Sequence, residues 1–268
     1  MLFAQHLVIL RGGGDLATGV AYRLHQAGFP LIVLELPQPL VVRRKVALAT
    51  AVLEHHIHIE TLHAQRVETA DQALQLAQSG TIPVLVAPQL STIYHLPFTI
   101  LVDARMAKRN IDTHPGQAEL VIALGPGFTA GIDCHAVIET MRGHTLGRVI
   151  WQGAAIPNTG TPGIVAGKGA ERVLRAPAEG QVEWRLEIGA LVAEGERIGS
   201  VAGEPVIAPF AGVLRGLIAP GTAVPSGLKI GDLDARADVS ACFTISEKAL
   251  AIGGGVLEAI LTHLNRPL

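Results

Sequence analysis

From Ala176 onward the chain repeats itself at a shift of 32 residues, and this repeat constrains its folding more than any other feature. Ala176-Pro177 falls on Ala208-Pro209, Gly180 on Gly212, Gly189 on Gly221 and Val192 on Val224. Gly195 likewise falls on Gly227, and Ile198-Gly199 on Ile230-Gly231. The matches lie at turn positions, where glycine supplies a positive φ at no steric cost. The apolar pieces between them are short and lack a helical period, so each copy reads as strand, turn, strand. One such copy cannot bury its own apolar face. The two are therefore expected to pack together as a small all-β module over 171–240.

The first 170 residues follow a different rule. His6-Leu7-Val8-Ile9-Leu10 is a short continuous apolar run, as in a buried parallel strand, and Pro30–Leu36 is a second. Between them Ala17–Ala27 has helical spacing and stops at Gly28. Val41–Glu54 reads as a second helix, and Asp71–Gln78 is amphipathic. Further apolar runs occur at Ile82–Val86, Thr99–Val102 and Leu120–Leu124. Alternating strands and helices predict an α/β domain with a Rossmann-like parallel sheet over 1–170. Residues 241–268 are expected to return to that domain as a C-terminal segment and a closing helix, Val256–Leu264, after Gly253-Gly254-Gly255. Those three glycines read as an anion loop or as a close approach to the first domain.

The turn after the first strand, Arg11-Gly12-Gly13-Gly14-Asp15-Leu16-Ala17, fits the G-x-G-x-x-G/A fingerprint of dinucleotide sites. Gly12 permits the tight turn, Gly14 lets backbone approach a pyrophosphate, and Ala17 lets the helix lie close to the sheet. The phosphate then meets the free N–H groups at the helix amino end. Glu35, at the end of the second strand, is placed to accept from a ribose diol. Asp15 reads as a helix N-cap. A glycine-rich turn with no ligand is the bland alternative.

A second turn, Gly125-Pro126-Gly127-Phe128-Thr129-Ala130-Gly131, follows Leu120–Leu124, with a helix predicted over Val137–Met141. In a parallel sheet both turns open on the carboxyl edge of the strands, where Asp103-Ala104-Arg105-Met106-Ala107-Lys108 also arrives. Arg105 and Lys108 are the candidates to neutralise an anionic ligand. Cys134, at a helix amino end, reads as an activated thiol with His135 beside it, or as a small buried residue. No metal site is expected, because His55-His56-Ile57-His58 lacks any C-x-x-C or H-x-x-x-H companion.

Composition excludes several classes. With 49% hydrophobic and 16% charged residues in 268, a large core is available. The formal net charge of −2 and the absence of a basic run argue against nucleic acid. Two cysteines, Cys134 and Cys242, do not make a disulfide scaffold. No apolar run spans a bilayer, and the opening residues show no signal-peptide pattern, so a cytoplasmic protein is expected. A homo-oligomer is expected as well.

The repeat resembles the biotinyl/lipoyl fold (a barrel-sandwich hybrid), through A-P-x-x-G at 176–180 and 208–212 and G-x-x-V-x-x-G-x-x-I at 189–198 and 221–230. Carriers of that fold present a modifiable lysine between the halves. Here Ser200–Val206 contains none, so the resemblance implies the fold without the carrier chemistry. Over nearly the whole chain the sequence is similar to the YqeB family of accessory proteins for selenium-dependent molybdenum hydroxylases. The matching segments are RGGGDLATGVAYRL (11–24), DARMAK (103–108), LGPGFTAGIDCHAVIETMRGHTLGRVI (124–150), PNTGTPG (157–163), RVLRAPAEG (172–180) and IGGGVLEAI (252–260). That resemblance implies a maturation factor whose partners are a molybdenum hydroxylase apoenzyme and a nucleotide-like small molecule. The candidate cofactors are a molybdopterin dinucleotide or NAD(P). An NAD(P)-dependent oxidoreductase and a non-catalytic interaction protein are the competing readings.

Overall fold

The structure is a computed structural model that describes residues 1–87, 89–160 and 163–265. The chain forms two compact units. One comprises Met1–Pro39, Ala47–Thr159 and Ile245–Leu268; the other comprises Leu40–Val46 and Gly160–Thr244.

The first unit is mixed α/β. Its strands are β1 (Leu7–Arg11), β2 (Leu31–Glu35), β3 (His56–Ile59), β4 (Leu62–Val67), β5 (Ile82–Val86), β6 (Phe98–Asp103), β7 (Leu120–Leu124), β8 (Thr129–Ala130), β9 (Ala136–Ile138), β10 (Val149–Ile150) and β11 (Gly153–Ala154). Nine of them form one mostly parallel sheet in the order β10-β9-β7-β6-β1-β2-β5-β4-β3, with antiparallel pairs only at its two ends. β8 and β11 pair separately. The central strands are continuous apolar runs because both faces are covered: every residue of β1 and β7 is buried. Helix α1 (Asp15–Ala27) runs from Gly14 to Gly28, whose φ of 92° gives the left-handed C-cap. α2 (Thr50–Glu54) is a short helix. α3 (Ala70–Gln78) starts at Thr69, whose hydroxyl accepts from the Gln72 N–H. It lies against β5, β2 and β4, and its Ala73 and Ala77 join the core that holds Ile32, Leu34 and Leu85. α4 (Glu247–Leu264) starts at Ser246, which caps the Ala249 N–H, and lies along α1.

Three expectations are corrected here. Val41–Glu54 is not one helix. Residues 40–46 belong to the second unit, where Val42 lies on Gly216 and the Arg44 Nε donates to the Leu217 carbonyl at 2.7 Å. Only α2 is left of the helix. The stretch predicted as a helix over Val137–Met141 is instead the strand β9 and the turn after it. Its β-branched pair Val137-Ile138 is buried beside β7, in a parallel ladder. Finally, Gly253-Gly254-Gly255 is no anion loop: it lies inside α4. A Cβ at Gly253 would collide with the Gly19 carbonyl and one at Gly255 with the Gly147 carbonyl. The glycines allow close backbone packing, as the alternative reading had it. In the loop 157–163, Thr161 and Pro162 lie outside the described residues.

The second unit contains β12 (Val173–Arg175), β13 (Gly180–Trp184), β14 (Leu191–Val192), β15 (Arg197–Val201), β16 (Glu204–Ile207), β17 (Gly212–Leu217), β18 (Ala223–Val224) and β19 (Lys229–Asp234). The 32-residue shift maps β13 onto β17, β14 onto β18 and β15 onto β19. The copies do not form one sheet each. They interleave in two four-stranded sheets, β12-β19-β17-β14 and β16-β15-β13-β18, and exchanging the copies turns one order into the other. Val182, Ile198, Val201, Val213, Leu217 and Ile230 fill the core between them. β15 and β16 join through Ala202 and Gly203, with φ of 51° and 86°, a pair of left-handed residues suited to a tight hairpin.

Candidate functional site

In the first unit the chain moves outward from β1 to β2 and β5 on one side, then returns to build β6, β7 and β9 on the other. The order reverses between β1 and β6. Crevices for ligands open beyond the carboxyl ends of strands at such a reversal. The glycine turn after β1, the segment after β6 and the glycine turn after β7 all leave the sheet at this edge.

The three glycines of the first turn have different tasks. Gly12 has φ of +95°, and a Cβ there would lie 3.1 Å from the Arg105 backbone. Gly13 is pressed on the other side, 2.8 Å from the Ala49 nitrogen for a Cβ, and its carbonyl accepts from that N–H at 2.8 Å. The Gly13 N–H donates to Glu35 Oε2 at 2.7 Å, while Glu35 Oε1 accepts from the Leu36 N–H at 2.7 Å. Glu35 thus holds the turn itself, which corrects the simple ribose reading. Gly14 is the open member: nothing lies within 4 Å of a Cβ there. It is the N-cap of α1 and no side chain caps the helix. Asp15 is therefore the first residue of the helix, not its cap, and its carboxylate favours the positive end of the dipole. Ala17 is fully buried, as the fingerprint requires. Thr18 secures the turn, donating to the Gly14 carbonyl and accepting from the Leu48 N–H, both at 3.2 Å.

A chain of charges runs beside the turn. Arg11, 2% exposed at the end of β1, donates to Asp112 Oδ2 at 2.8 Å. Arg105 reaches Asp112 at 2.7 Å and Asp103 at 2.6 Å, and the Thr113 hydroxyl donates to Asp103 at 2.6 Å. The Arg11 hydrogen bond, with that of Arg105, outweighs burial and holds the Asp112 carboxyl down at about 2. Arg105 is consequently committed to carboxylates of its own chain and is not available to neutralise a ligand.

Two lysines lie nearby. Lys248, in the first turn of α4, is half-buried; burial lowers its pKa, as do Arg142 and Lys108, against Asp15 and Glu139. Partial desolvation also lowers the Lys108 pKa, although the side chain is exposed. Neither lysine forms a salt bridge among the described residues, whereas Arg142 pairs with Glu247 at 2.6 Å. Lys108 (φ 65°) and Met106 (φ 56°) adopt left-handed backbone that costs about 1 kcal/mol each. The second glycine turn supports this strained segment: a Cβ at Gly127 (φ +102°) would lie 2.5 Å from the Arg109 nitrogen, and one at Gly125 would strike the Thr140 hydroxyl and Met106. Gly125 and Gly127 therefore serve packing. Gly131 (φ +87°) has open space and donates its N–H to the Cys134 carbonyl at 2.8 Å.

His135 does not join this edge, and Cys134 is buried below it, within electrostatic reach of Asp103. No helix follows them, so no helix amino end lowers the thiol. Cys134 is fully buried among Val121, Ala123 and Val137, and burial, with Asp133 and Asp103, pushes its pKa up to about 12. His135 Nδ1 accepts from the Val121 N–H at 2.9 Å, in the amino-terminal half of β7. Lys248, Arg142, Arg11 and Asp112 escaped the sequence reading. Arg11 was legible as the residue before the glycines, but Lys248 lies in a helix whose packing on α1 no local pattern declares.

No family model matches the chain. It is 47% identical over 262 residues to YqeB of Escherichia coli (strain K12), itself described as an uncharacterized protein. The match covers 98% of this chain and 48% of that protein, so the chain is a relative of YqeB that spans about half its length. Among solved structures, an aspartoacylase family protein of Mesorhizobium loti aligns with 86% of this chain and 84% of its own, at 11% identity and a TM-score of 0.26. The ectoine utilization protein EutE (DoeB) of Ruegeria pomeroyi covers 86% and 85%, at 10% identity and a TM-score of 0.24. A succinylglutamate desuccinylase/aspartoacylase of Rhodobacter sphaeroides covers 86% and 85%, at 14% identity and 0.27. At such scores the likeness carries no argument about fold or function.

Proposed function

We propose that this relative of YqeB binds a nucleotide-containing cofactor, a molybdopterin dinucleotide or NAD(P), and serves as an accessory factor in the maturation of selenium-dependent molybdenum hydroxylases. One observation carries the binding reading: the uncapped amino end of α1 behind the open Gly14, at the reversal of strand order, with Lys248 in electrostatic reach of Asp15. A pyrophosphate is the group that free helix amides and nearby ammoniums favour. The residues fit it in part. Gly14 and the first-turn amides of α1 would hold a phosphate, Lys248 and Lys108 would balance its charge, and Glu35 would keep the turn in shape. Gly12 and Gly13 are occupied by the chain's own backbone and would not touch the ligand. The strand order supports a Rossmann-like reading of this unit.

The hydroxylase role rests on the sequence resemblance. On that reading the second unit is a biotinyl/lipoyl-like barrel-sandwich hybrid that lacks the carrier lysine and docks the apoenzyme as a rigid element. Its interleaved, exchange-symmetric sheets support this. The oxidoreductase alternative gains nothing from Cys134, which is fully buried, or from His135, which is bonded at the amino-terminal half of β7. Calorimetric titration with NAD⁺, NADP⁺, CDP and GDP tests the proposal. At least one should bind, with affinity lowered tenfold or more in Lys248→Gln and Gly14→Val. Absence of binding by all four would sink the nucleotide reading.

A further inference from the structure

The second unit holds a group of buried charges that the proposed function does not use. Arg172 and Arg215 are each 8% exposed, Asp232 is 4% and Asp234 is 1%. Arg172 Nη2 stands 3.8 Å from Asp232, Arg215 Nη1 4.0 Å from Asp232 and 3.9 Å from Asp234, and Lys229 Nζ 3.9 Å from Asp232. These separations are beyond hydrogen-bond reach. Only Arg236 closes on a carboxylate, reaching Asp234 at 2.6 Å from the surface. Arg172 Nε and Nη1, Arg215 Nε and Asp232 Oδ1 are buried without a hydrogen-bond partner among the described residues. Three donors and one acceptor are thus unsatisfied around one aspartate. Four cations surround two carboxylates, while Asp238, the next acid along the chain, is exposed and bonded to Ser240. Buried donors and uncompensated charge are costly unless met by a counter-group.

We propose that this cluster is a binding site for hydrogen phosphate, free or as the end group of a phosphate monoester. The inventory selects that chemistry. A monoprotonated phosphate offers unprotonated oxygens to the three arginine N–H groups and one O–H to Asp232 Oδ1, and its negative charge offsets the excess of cations. Sulfate, which carries no proton at neutral pH, would set a lone pair against the Asp232 carboxylate. A site built to accept a ligand's O–H rejects an analogue that lacks it. Lys229, with 44% of its side chain exposed, joins the cluster to solvent.

The full-length protein titrated with inorganic phosphate and with sulfate at pH 7.5 tests this. Phosphate should bind saturably and sulfate at least tenfold more weakly. Asp232→Asn should remove the preference, and Lys229→Gln, a partly exposed change that spares the core, should weaken phosphate at least tenfold. Glu68→Gln, an exposed change in the other unit, should leave this binding unchanged. Phosphate monoester probes such as glycerol 2-phosphate separate a free-ion site from an end-group site. No binding of phosphate, equal binding of sulfate, or loss in Glu68→Gln but not in Lys229→Gln would each overturn the proposal; the first outcome means that the cluster holds ordered water only.

Discussion

At the scale of single residues, one turn contains glycines with opposite sensitivities. Gly13→Ala places a methyl against the Ala49 backbone, which cannot withdraw without breaking its bond to the Gly13 carbonyl. Loss of about 1–3 kcal/mol is expected by urea unfolding. Gly14→Ala has room and an ordinary backbone φ of −66°, so stability should hold within about 0.5 kcal/mol. Cys134, buried with its thiol near 12, should resist iodoacetamide in the native protein at pH 7.5 and react only after unfolding. Rapid native labelling of Cys134 would contradict that burial. Asp112 adds a pH dependence. Its folded pKa of about 2 lies below the ordinary 3.8, so its contribution is complete above the unfolded value and fades as pH falls from about 4 towards 2. The stability gap between wild type and Asp112→Asn should shrink over that window, and salt should reduce it, since the side chain is 51% exposed. Much of this scale was legible: Gly12, Gly14 and Ala17 came from one fingerprint. Glu35 was singled out as a ribose acceptor and here bonds the turn, because a fingerprint specifies residue types and not which donor reaches the carboxylate first.

At the scale of elements, α4 carries an internal control. Gly253 abuts Gly19, whereas Gly254 has open space. Gly253→Ala should force α1 and α4 apart and destabilise by about 1–3 kcal/mol. Gly254→Ala should stabilise by up to about 1 kcal/mol, the helix propensity difference. Chemical denaturation of the two variants decides, and similar losses in both would contradict the packing. The same glycines explain why the sequence misled here. Three in a row suggest a loop, and only burial against another backbone makes them tolerable in a helix. Val137-Ile138 misled in the opposite sense. A short apolar run has no periodicity of its own, and neighbouring β7 made it a strand. α1, by contrast, was legible at its carboxyl end, where Gly28 is a local signal, while its start was placed two residues late.

At the scale of the whole molecule, the repeat showed that two copies exist but not how they share strands. A shift of 32 residues is equally compatible with two separate sheets, and the interleaving arises from long-range pairing that no local residue encodes. The large sheet was legible as alternating elements, although its extra antiparallel pair β3–β4 was not. No described helix is long and apolar enough to cross a membrane, and no group of three metal-ligating side chains converges among the described residues. On the proposed reading the ligand of the first unit binds at the carboxyl edge, and the central feature is the open amino end of α1. Backbone amide NMR of the full-length protein, titrated with the nucleotide that binds in calorimetry, examines that feature directly. The predicted result is saturable shifts concentrated at Gly14, Asp15, Leu16 and Ala17, with smaller ones at Lys108 and Lys248. Shifts that spare 14–17 while another surface responds would contradict the account.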